Sequence, residues 1–165
     1  MVLTKAELIG CLQNEVRILL HLAGKVGPNQ LDYRPSAKQR STLELLQYLT
    51  IMGPQLIKAA KSGTFDRDGW GAADAAAKAR NFDQTVAAIQ QQSEEYAALL
   101  GDVPDADFQG IINIFGYDTP RGVFIVNMVL GGCAAYRTQL FLYLKASGRD
   151  ELNTMNLWAG MDGSM

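Results

Sequence analysis

Apolar residues recur at every third or fourth position along four stretches of the chain, the spacing that places them on one face of an α-helix. In the first stretch, for example, Leu8, Leu12 and Val16 fall on one side. The spacing predicts helices over about residues 4–25, 42–61, 81–100 and 120–147. Four apolar faces of this kind can be removed from water only if the helices pack against one another. The pattern therefore predicts an all-α, four-helix bundle with long interhelical loops, forming a single domain over residues 1–165.

Capping signals support three of the helix starts. A serine, threonine or asparagine followed three residues later by Glu or Gln forms a capping box, and the chain has this pair at Thr4 with Glu7, Ser41 with Glu44, and Asn81 with Gln84. The fourth helix is expected to start at Thr119-Pro120, with the threonine as cap and the proline in the first turn.

Two further features of the pattern concern the shape of the second helix and the burial of the fourth. Gly53-Pro54 lies inside the second helix and predicts a kink or a local break. The fourth helix is apolar nearly all round, which is typical of the most buried member of a bundle.

The remaining segments have weaker patterns. Residues 63–71 are expected to form a glycine-rich connection, followed by an alanine-rich, helix-forming stretch over residues 72–79. IINIFGY, residues 111–117, is expected to form one short extended piece within a loop. The tail over residues 149–165 is expected to pack back on the bundle through its apolar residues Leu152, Met155, Leu157 and Trp158.

Composition and charge exclude some partners. A net charge of −2 with scattered basic residues argues against a broad nucleic-acid surface. The only basic group, Arg34, Lys38 and Arg40, is interpreted as a solvated loop rather than a phosphate site. Two cysteines without a CxxC pair, the absence of an apolar signal core and the lack of a run long enough to cross a bilayer predict a reduced, cytoplasmic protein that does not insert into a membrane.

Three segments carry a resemblance to a known family. LDYRP (31–35), STLELLQYL (41–49) and AYRTQLFLYLKASG (135–148) resemble, in this order, motifs of the DinB and YfiT superfamily of helical bundles. The resemblance extends over roughly residues 5–148. It implies a four-helix bundle that forms a homodimer. In metal-binding members it further implies a divalent ion held by three histidines and used in thiol-linked transfer or hydrolase-like chemistry.

The three histidine positions of the family fall here on Tyr48, Gly132 and Tyr136. Glycine offers no side-chain ligand, and phenols with a pKa of about 10 are poor zinc or nickel ligands. His21, the only histidine, is placed on the polar side of the first helix, where it is expected to be solvated. We therefore expect neither a metal nor another cofactor.

The vacated metal position has two interpretations. Gly132 leaves room one turn before Tyr136, so a small cavity for a ligand is expected among Tyr48, Met52, Gly132, Tyr136 and Tyr143. Alternatively, the ring of Tyr48 fills the space, with its hydroxyl hydrogen-bonded. Both interpretations are compatible with the sequence.

Arg137 is the one charged residue among apolar neighbours in the last helix, and Glu15 lies in the apolar arc of the first helix. A buried guanidinium requires a partner, so the two are expected to form a buried ion pair that sets the helix register, with an anion or substrate site as the alternative. Cys133 is interpreted as an inert core cysteine rather than a reactive thiol. Arg34 is expected to anchor its loop to the bundle.

Two functions follow from these observations. The first is a metal-free protein that binds a small ligand in the bundle, or that acts as a homodimeric interaction protein through an exposed edge of the first helix or the tail around Trp158. The alternative is a metal-independent, thiol-dependent transferase or related enzyme with a pocket lined by Tyr and Arg. The chain contains no nucleotide-binding or hydrolase motif, so a catalytic constellation is not identified.

Overall fold

The structure, a computed structural model, describes residues 3–163 and is built almost entirely from helices. In chain order these are α1 (Lys5–Ala23), α2 (Thr42–Ser62), α3 (Arg67–Lys78) and α4 (Phe82–Gly101), then α5 (Arg121–Phe124), a π-helical segment (Ile125–Leu130) and α6 (Gly131–Ala146). A hairpin of two antiparallel strands, β1 (Ile111–Ile114) and β2 (Tyr117–Pro120), lies between α4 and α5. The prediction of an all-α fold is confirmed. None of the described helices is long and apolar enough to cross a bilayer.

The three predicted capping boxes are all present. The side chains of Thr4, Ser41 and Asn81 each accept a hydrogen bond from the backbone N–H three residues on, and the Glu or Gln side chain there accepts one from the backbone N–H of the cap residue. Helix α2 ends at Gly63, whose φ of 79° is left-handed and suits glycine. Local hydrogen bonding therefore sets these boundaries before tertiary packing is considered.

The structure corrects the expected start of the fourth helix and refines two other expectations. Helix α2 is continuous through Gly53-Pro54, so of the kink or local break that the pair predicted, the break is absent. Thr119 is a buried strand residue rather than a cap, and Pro120 precedes α5 without a side-chain cap. The stretch expected to be one short extended piece is extended over Ile111–Ile114, but it then turns at Phe115-Gly116, with φ of 59° and 88°, into the second strand of a hairpin. Two positive φ values are the requirement of a type I′ turn.

Helix α3 occupies much of the segment expected to be a glycine-rich connection. Asp66 caps it by accepting a hydrogen bond of 2.9 Å from the Gly69 amide. Only Ala77 of this helix is buried, and Trp70 packs partly buried against the core. The helix is held by α2, because the amide of Gln47 donates to the carbonyl of Arg80 at 2.8 Å.

The most buried helix is α2, not the last helix as the sequence predicted. Most residues of α2 are buried, including Leu45, Leu46, Leu49, Met52, Leu56 and Ile57. Within residues 120–147, the range predicted for the last helix, Val123 of α5 is 47% exposed and Leu142 of α6 is 57% exposed. The π-helical segment between α5 and α6 adds residues to the turn, so the apolar positions before and after it do not stay on one face.

Close approach of α4 to α2 depends on a glycine. A Cβ atom added at Gly53 would lie 1.9 Å from the hydroxyl of Tyr96, a fully buried residue of α4. Beside this contact the side chain of Gln92 donates a hydrogen bond of 2.8 Å to the carbonyl of Leu49. The Tyr96 hydroxyl itself makes no hydrogen bond with any described residue.

The tail packs on α1, through Leu152 as the sequence suggested but also through Asn156, which it did not. Leu152 and Asn156 are buried, whereas Met155 and Trp158 are exposed. Asn156 reaches the imidazole of His21 at 3.1 Å, and Asp162 pairs with Lys25 at 2.6 Å. The tail is thus attached by polar contacts as well as by apolar ones.

Gly53→Ala is expected to lower the free energy of unfolding by about 2–3 kcal/mol, because the new methyl group and the Tyr96 hydroxyl cannot share the same space. Urea unfolding measures the change. Gly10→Ala is the matched control: nothing lies within 4 Å of an added Cβ there, so better helix propensity should raise stability by up to about 1 kcal/mol. Equal effects at the two positions would contradict the steric explanation.

Candidate functional site

The structure brings four of the five residues proposed for the interior pocket together. Tyr48 of α2 and Tyr136 of α6 meet edge to face, with ring centroids 5.1 Å apart and an interplanar angle of 68°. One turn before Tyr136, a Cβ added at Gly132 would lie 3.2 Å from the sulfur of Met52, which is 2% exposed. The room left by the glycine is therefore occupied by Met52, and the two tyrosine rings close the space beside it.

Tyr143 belongs to a different cluster. Its ring packs against Tyr33, at 5.6 Å between centroids, and its hydroxyl accepts a hydrogen bond from Gln139 at 2.5 Å. Tyr33 lies in the loop between α1 and α2, and its carbonyl accepts from the amide of Thr42 at the start of α2. Tyr143 therefore positions this loop and does not line a shared pocket with Tyr48.

Tyr48 is enclosed on its outer side as well. The guanidinium carbon of Arg40 lies 3.9 Å from the centroid of the Tyr48 ring, within cation–π distance. The ring of Trp70, from α3, meets Tyr48 at 6.2 Å. Burial raises the pKa of the Tyr48 phenol, the adjacent Tyr136 phenol adds to the effect, and Arg40 opposes it. Tyr48 is consequently a neutral phenol at physiological pH.

The residues at the three positions do not fit a divalent metal. Tyr48 would have to lose a proton that its surroundings hold tightly, and Met52 occupies the space in front of Gly132. Within residues 3–163, no group of three His, Cys, Asp or Glu side chains is placed so as to hold a metal ion. No catalytic step through a metal follows from this arrangement.

A cleft of about 490 Å³ opens on the outer side of Tyr48. One wall is the loop over residues 34–40, the other is α3, and the floor is the first two turns of α2; its lining includes Ala37, Arg40, Gln47, Tyr48 and Ala77. Sequence analysis missed this cleft because it recognised only the second part of α3, as the helix-forming stretch over residues 72–79, and interpreted residues 63–71 as a connection. Trp70, a large aromatic residue in a stretch rich in glycine and aspartate, was one signal for the first part.

Arg137 and Glu15 are in direct contact between α6 and α1. Nε of Arg137 lies 2.8 Å from Oε2 of Glu15, and Nη2 donates a hydrogen bond of 3.2 Å to Oε1. Arg137 also donates to the backbone carbonyl of Leu157 in the tail. Burial raises the pKa of Glu15, and the charge of Arg137 opposes this. Both Nη atoms of Arg137 thus donate hydrogen bonds, whereas Nε lies within ion-pair distance of Glu15 without forming a hydrogen bond to it. These contacts favour the expected ion pair over an anion site.

The other single candidates are Cys133, His21 and Arg34, and their surroundings differ. Burial and the nearby Glu15 carboxylate raise the pKa of the Cys133 thiol to about 12, so almost no thiolate forms at neutral pH. His21 is only partly exposed and contacts Asn156, which corrects the expectation of a solvated histidine. Arg34 pairs with Glu44 at 3.2 Å and donates to the carbonyl of Gln39, anchoring the loop to α2.

Comparison with known structures identifies the fold. The crystal structure of a DinB-like protein of Bacillus subtilis, YjoA, superimposes with a TM-score of 0.67, over 88% of this chain and 95% of that one, at 15% sequence identity. The chain therefore has the DinB-like fold, and the resemblance drawn from the sequence motifs is confirmed at this level. No family model matches the chain, and no curated protein does.

Arg137→Met is expected to lower the free energy of unfolding by about 3 kcal/mol, because it leaves the Glu15 carboxylate largely buried without a counter-charge. Adding Glu15→Leu to the same chain should restore part of the loss, since the unpaired charge is then gone. Urea unfolding of both variants provides the comparison. Lys61→Met, in the exposed pair with Asp102, is the control and should leave stability unchanged within error. A double variant less stable than the single one would rule out this account.

Proposed function

We propose that this protein binds a small molecule in the cleft beside Tyr48 and does so without a metal. The observation that carries the proposal is the position of Tyr48: one face of the residue closes the bundle interior with Tyr136 and Met52, and the other forms the floor of an open cleft. A ligand that enters the fold from this end meets the Tyr48 ring before it meets the interior.

The size and the lining of the cleft support this proposal. Its volume of about 490 Å³ falls within the range of small-molecule sites, about 300–1,000 Å³. Tyr48 supplies an aromatic surface. The Gln47 side chain is held by its donor group on the Arg80 and Lys78 carbonyls, which leaves its amide oxygen available as an acceptor. The lining is otherwise mostly polar and charged, with Ala37 and Ala77 beside Tyr48 as its apolar members.

The enzymatic alternative has less support. A thiol-dependent transferase that uses its own cysteine would need a thiolate near the site, and the pKa of Cys133 at about 12 opposes this. The raised pKa of Tyr48 likewise disfavours a role as a general base near neutral pH. Both cysteines are free, in keeping with the cytoplasmic location that we propose.

A homodimer is a second candidate, favoured by an apolar groove away from the cleft. A groove of about 740 Å³ between α1 and α5 contains Leu8, Val123 and Val126, of which the last two are 47% and 36% exposed. Val126 also lines the adjoining depression beside Glu15. Beyond that pair lies Trp158, 69% exposed, 5.9 Å from the Arg137 guanidinium. These exposed apolar side chains are the surface that we propose for the self-complementary interface.

Ala37→Phe should abolish ligand binding in the cleft, because the new ring fills its mouth. Binding is measured by screening a fragment library against ¹⁵N-labelled protein, and we expect the amide shifts to cluster around Gln47, Tyr48 and Lys78. Ala72→Phe, on an exposed part of α3 outside the cleft, is the matched control and should bind the same fragments. Fragments that bind only elsewhere, or that bind Ala37→Phe unchanged, would refute the proposal.

Val126→Glu should convert the dimer to a monomer, because it places a charge in the apolar groove. Sedimentation equilibrium of the wild-type protein and the variant provides the measurement. Leu142→Glu is the control: this residue is on the same long helix and 57% exposed, but does not line the groove, so its dimer should persist. A monomeric wild-type protein at micromolar concentration would exclude this second candidate.

A further inference from the structure

We infer that the ligand of the Tyr48 cleft is an anion, whose carboxylate or phosphate group binds between Arg40 and Lys38. This inference rests on the proposed function and adds the chemical class of the ligand. It also revises the interpretation of the basic group at residues 34–40 as a solvated loop, because the structure shows which of its charges are already used.

The basic side chains that have no partner among the described residues point to this cleft. Most Lys and Arg side chains of the described chain donate hydrogen bonds to the protein or lie in ion pairs. Lys58, for example, pairs with Glu95 at 3.3 Å, and Arg121 donates to the Ala60 carbonyl at 2.8 Å. Among residues 3–163, three basic side chains have neither kind of partner: Lys38, Arg40 and Arg67. Two of these three line the one cleft.

The acidic residues of the cleft do not cancel these two charges. Glu44 pairs with Arg34 at 3.2 Å and accepts a hydrogen bond from the Ser41 amide at 2.7 Å. Asp74 pairs with Lys78 at 2.6 Å. Each carboxylate therefore neutralises a different cation, and the cleft retains two uncompensated positive charges, on Lys38 and Arg40.

The position of Arg40 is suited to binding an anion. Its guanidinium lies against the Tyr48 ring, at 3.9 Å from the centroid, so an otherwise exposed side chain has a preferred place. Stacking uses the flat face of the guanidinium and leaves its edge N–H groups, none of which bonds to a described residue. A carboxylate or a phosphate accepts two such N–H groups at once.

The start of α2 does not supply the site by itself. The amides of its first turn are already engaged: Thr42 donates to the Tyr33 carbonyl, Leu43 to the Leu31 carbonyl, and Glu44 to the Ser41 hydroxyl. An anion in the cleft would therefore be bound by side chains. Substitution of these side chains can remove the site without disturbing the helix cap.

Three probes of matched shape test the inference: benzoate, phenyl phosphate and the neutral benzamide, titrated into ¹⁵N-labelled protein. We expect both anions to bind at the cleft, and benzamide to bind at least about tenfold more weakly, since a charge-assisted hydrogen bond contributes about 1.5–3 kcal/mol. Binding of the anions should weaken as the salt concentration rises. Whichever anion binds more tightly identifies the ligand group as carboxylate or phosphate.

Arg40→Gln should weaken the binding of the favoured anion by about tenfold and leave benzamide unaffected, and Lys38→Gln should act in the same direction with a smaller effect. Arg67→Gln is the matched control, because it removes an unpaired arginine at the start of α3, outside the cleft. Both arginines are exposed, so neither substitution should unfold the chain.

Each outcome of the titrations supports or contradicts either the anion assignment or the proposed function. Benzamide binding as tightly as benzoate, with no response to Arg40→Gln, would overturn the anion assignment and leave the small-molecule cleft in place. Anion binding that Arg40→Gln and Arg67→Gln weaken equally would show a general charge effect and also overturn it. If none of the probes binds at about 10 mM and no library fragment shifts the cleft residues, the proposed function itself fails.

Discussion

Enclosure of α2 on almost every side is the constraint from which the rest of the arrangement follows. Two glycines permit it: Gly53 gives the Tyr96 hydroxyl of α4 its place against α2, and Gly132 of α6 gives Met52 of α2 its place against α6. A larger residue at either position would push a neighbouring helix outward. The bundle can thus close around a helix whose own residues, Leu46, Met52 and Ile57 among them, are fully or nearly fully buried.

Close packing around Met52 also determines where chemistry can take place. A cavity in the interior would need unfilled volume between α2 and α6, and the thioether with the Tyr48–Tyr136 pair occupies that region. The second interpretation of the vacated position, that tyrosine fills it, is therefore closer to the structure, although Met52 does as much of the filling as Tyr48. The cavity that does exist lies on the other side of Tyr48, where α3 and the loop over residues 34–40 approach each other.

The sequence predicted the parts of the fold that rest on local signals or on strong periodicity. Capping pairs located the starts of α1, α2 and α4, and the apolar stripes located the bodies of these helices. It located only the second part of α3, as the helix-forming stretch over residues 72–79, and missed the first turn and its cap at Asp66, in a stretch expected to be a connection. It also failed in ranking burial, because apolar content does not distinguish a core helix from one with an exposed apolar edge at Val123 and Val126.

Periodicity was sufficient to place candidate residues on helix faces. Side chains on facing helices could also be paired, because a buried charge requires a counter-charge. Glu15 and Arg137 illustrate the second case, since each was an unexplained charge in an apolar arc. The stacking of Arg40 on Tyr48 could not be predicted in this way, because Arg40 lies in a loop whose path is set by contacts distant in sequence, such as Tyr33 with Tyr143.

The position of the unpaired charges then has a physical explanation. A charge inside this bundle requires a partner, as Arg137 has in Glu15, because desolvation is otherwise too costly. On the outer side of Tyr48 the guanidinium of Arg40 keeps contact with water, so it can remain without a counter-charge until an anion supplies one. Desolvation therefore distinguishes the two arginines: the charge of Arg137 is already paired inside the bundle, whereas the charge of Arg40 stays in contact with water, which is why the anion site is proposed at Arg40.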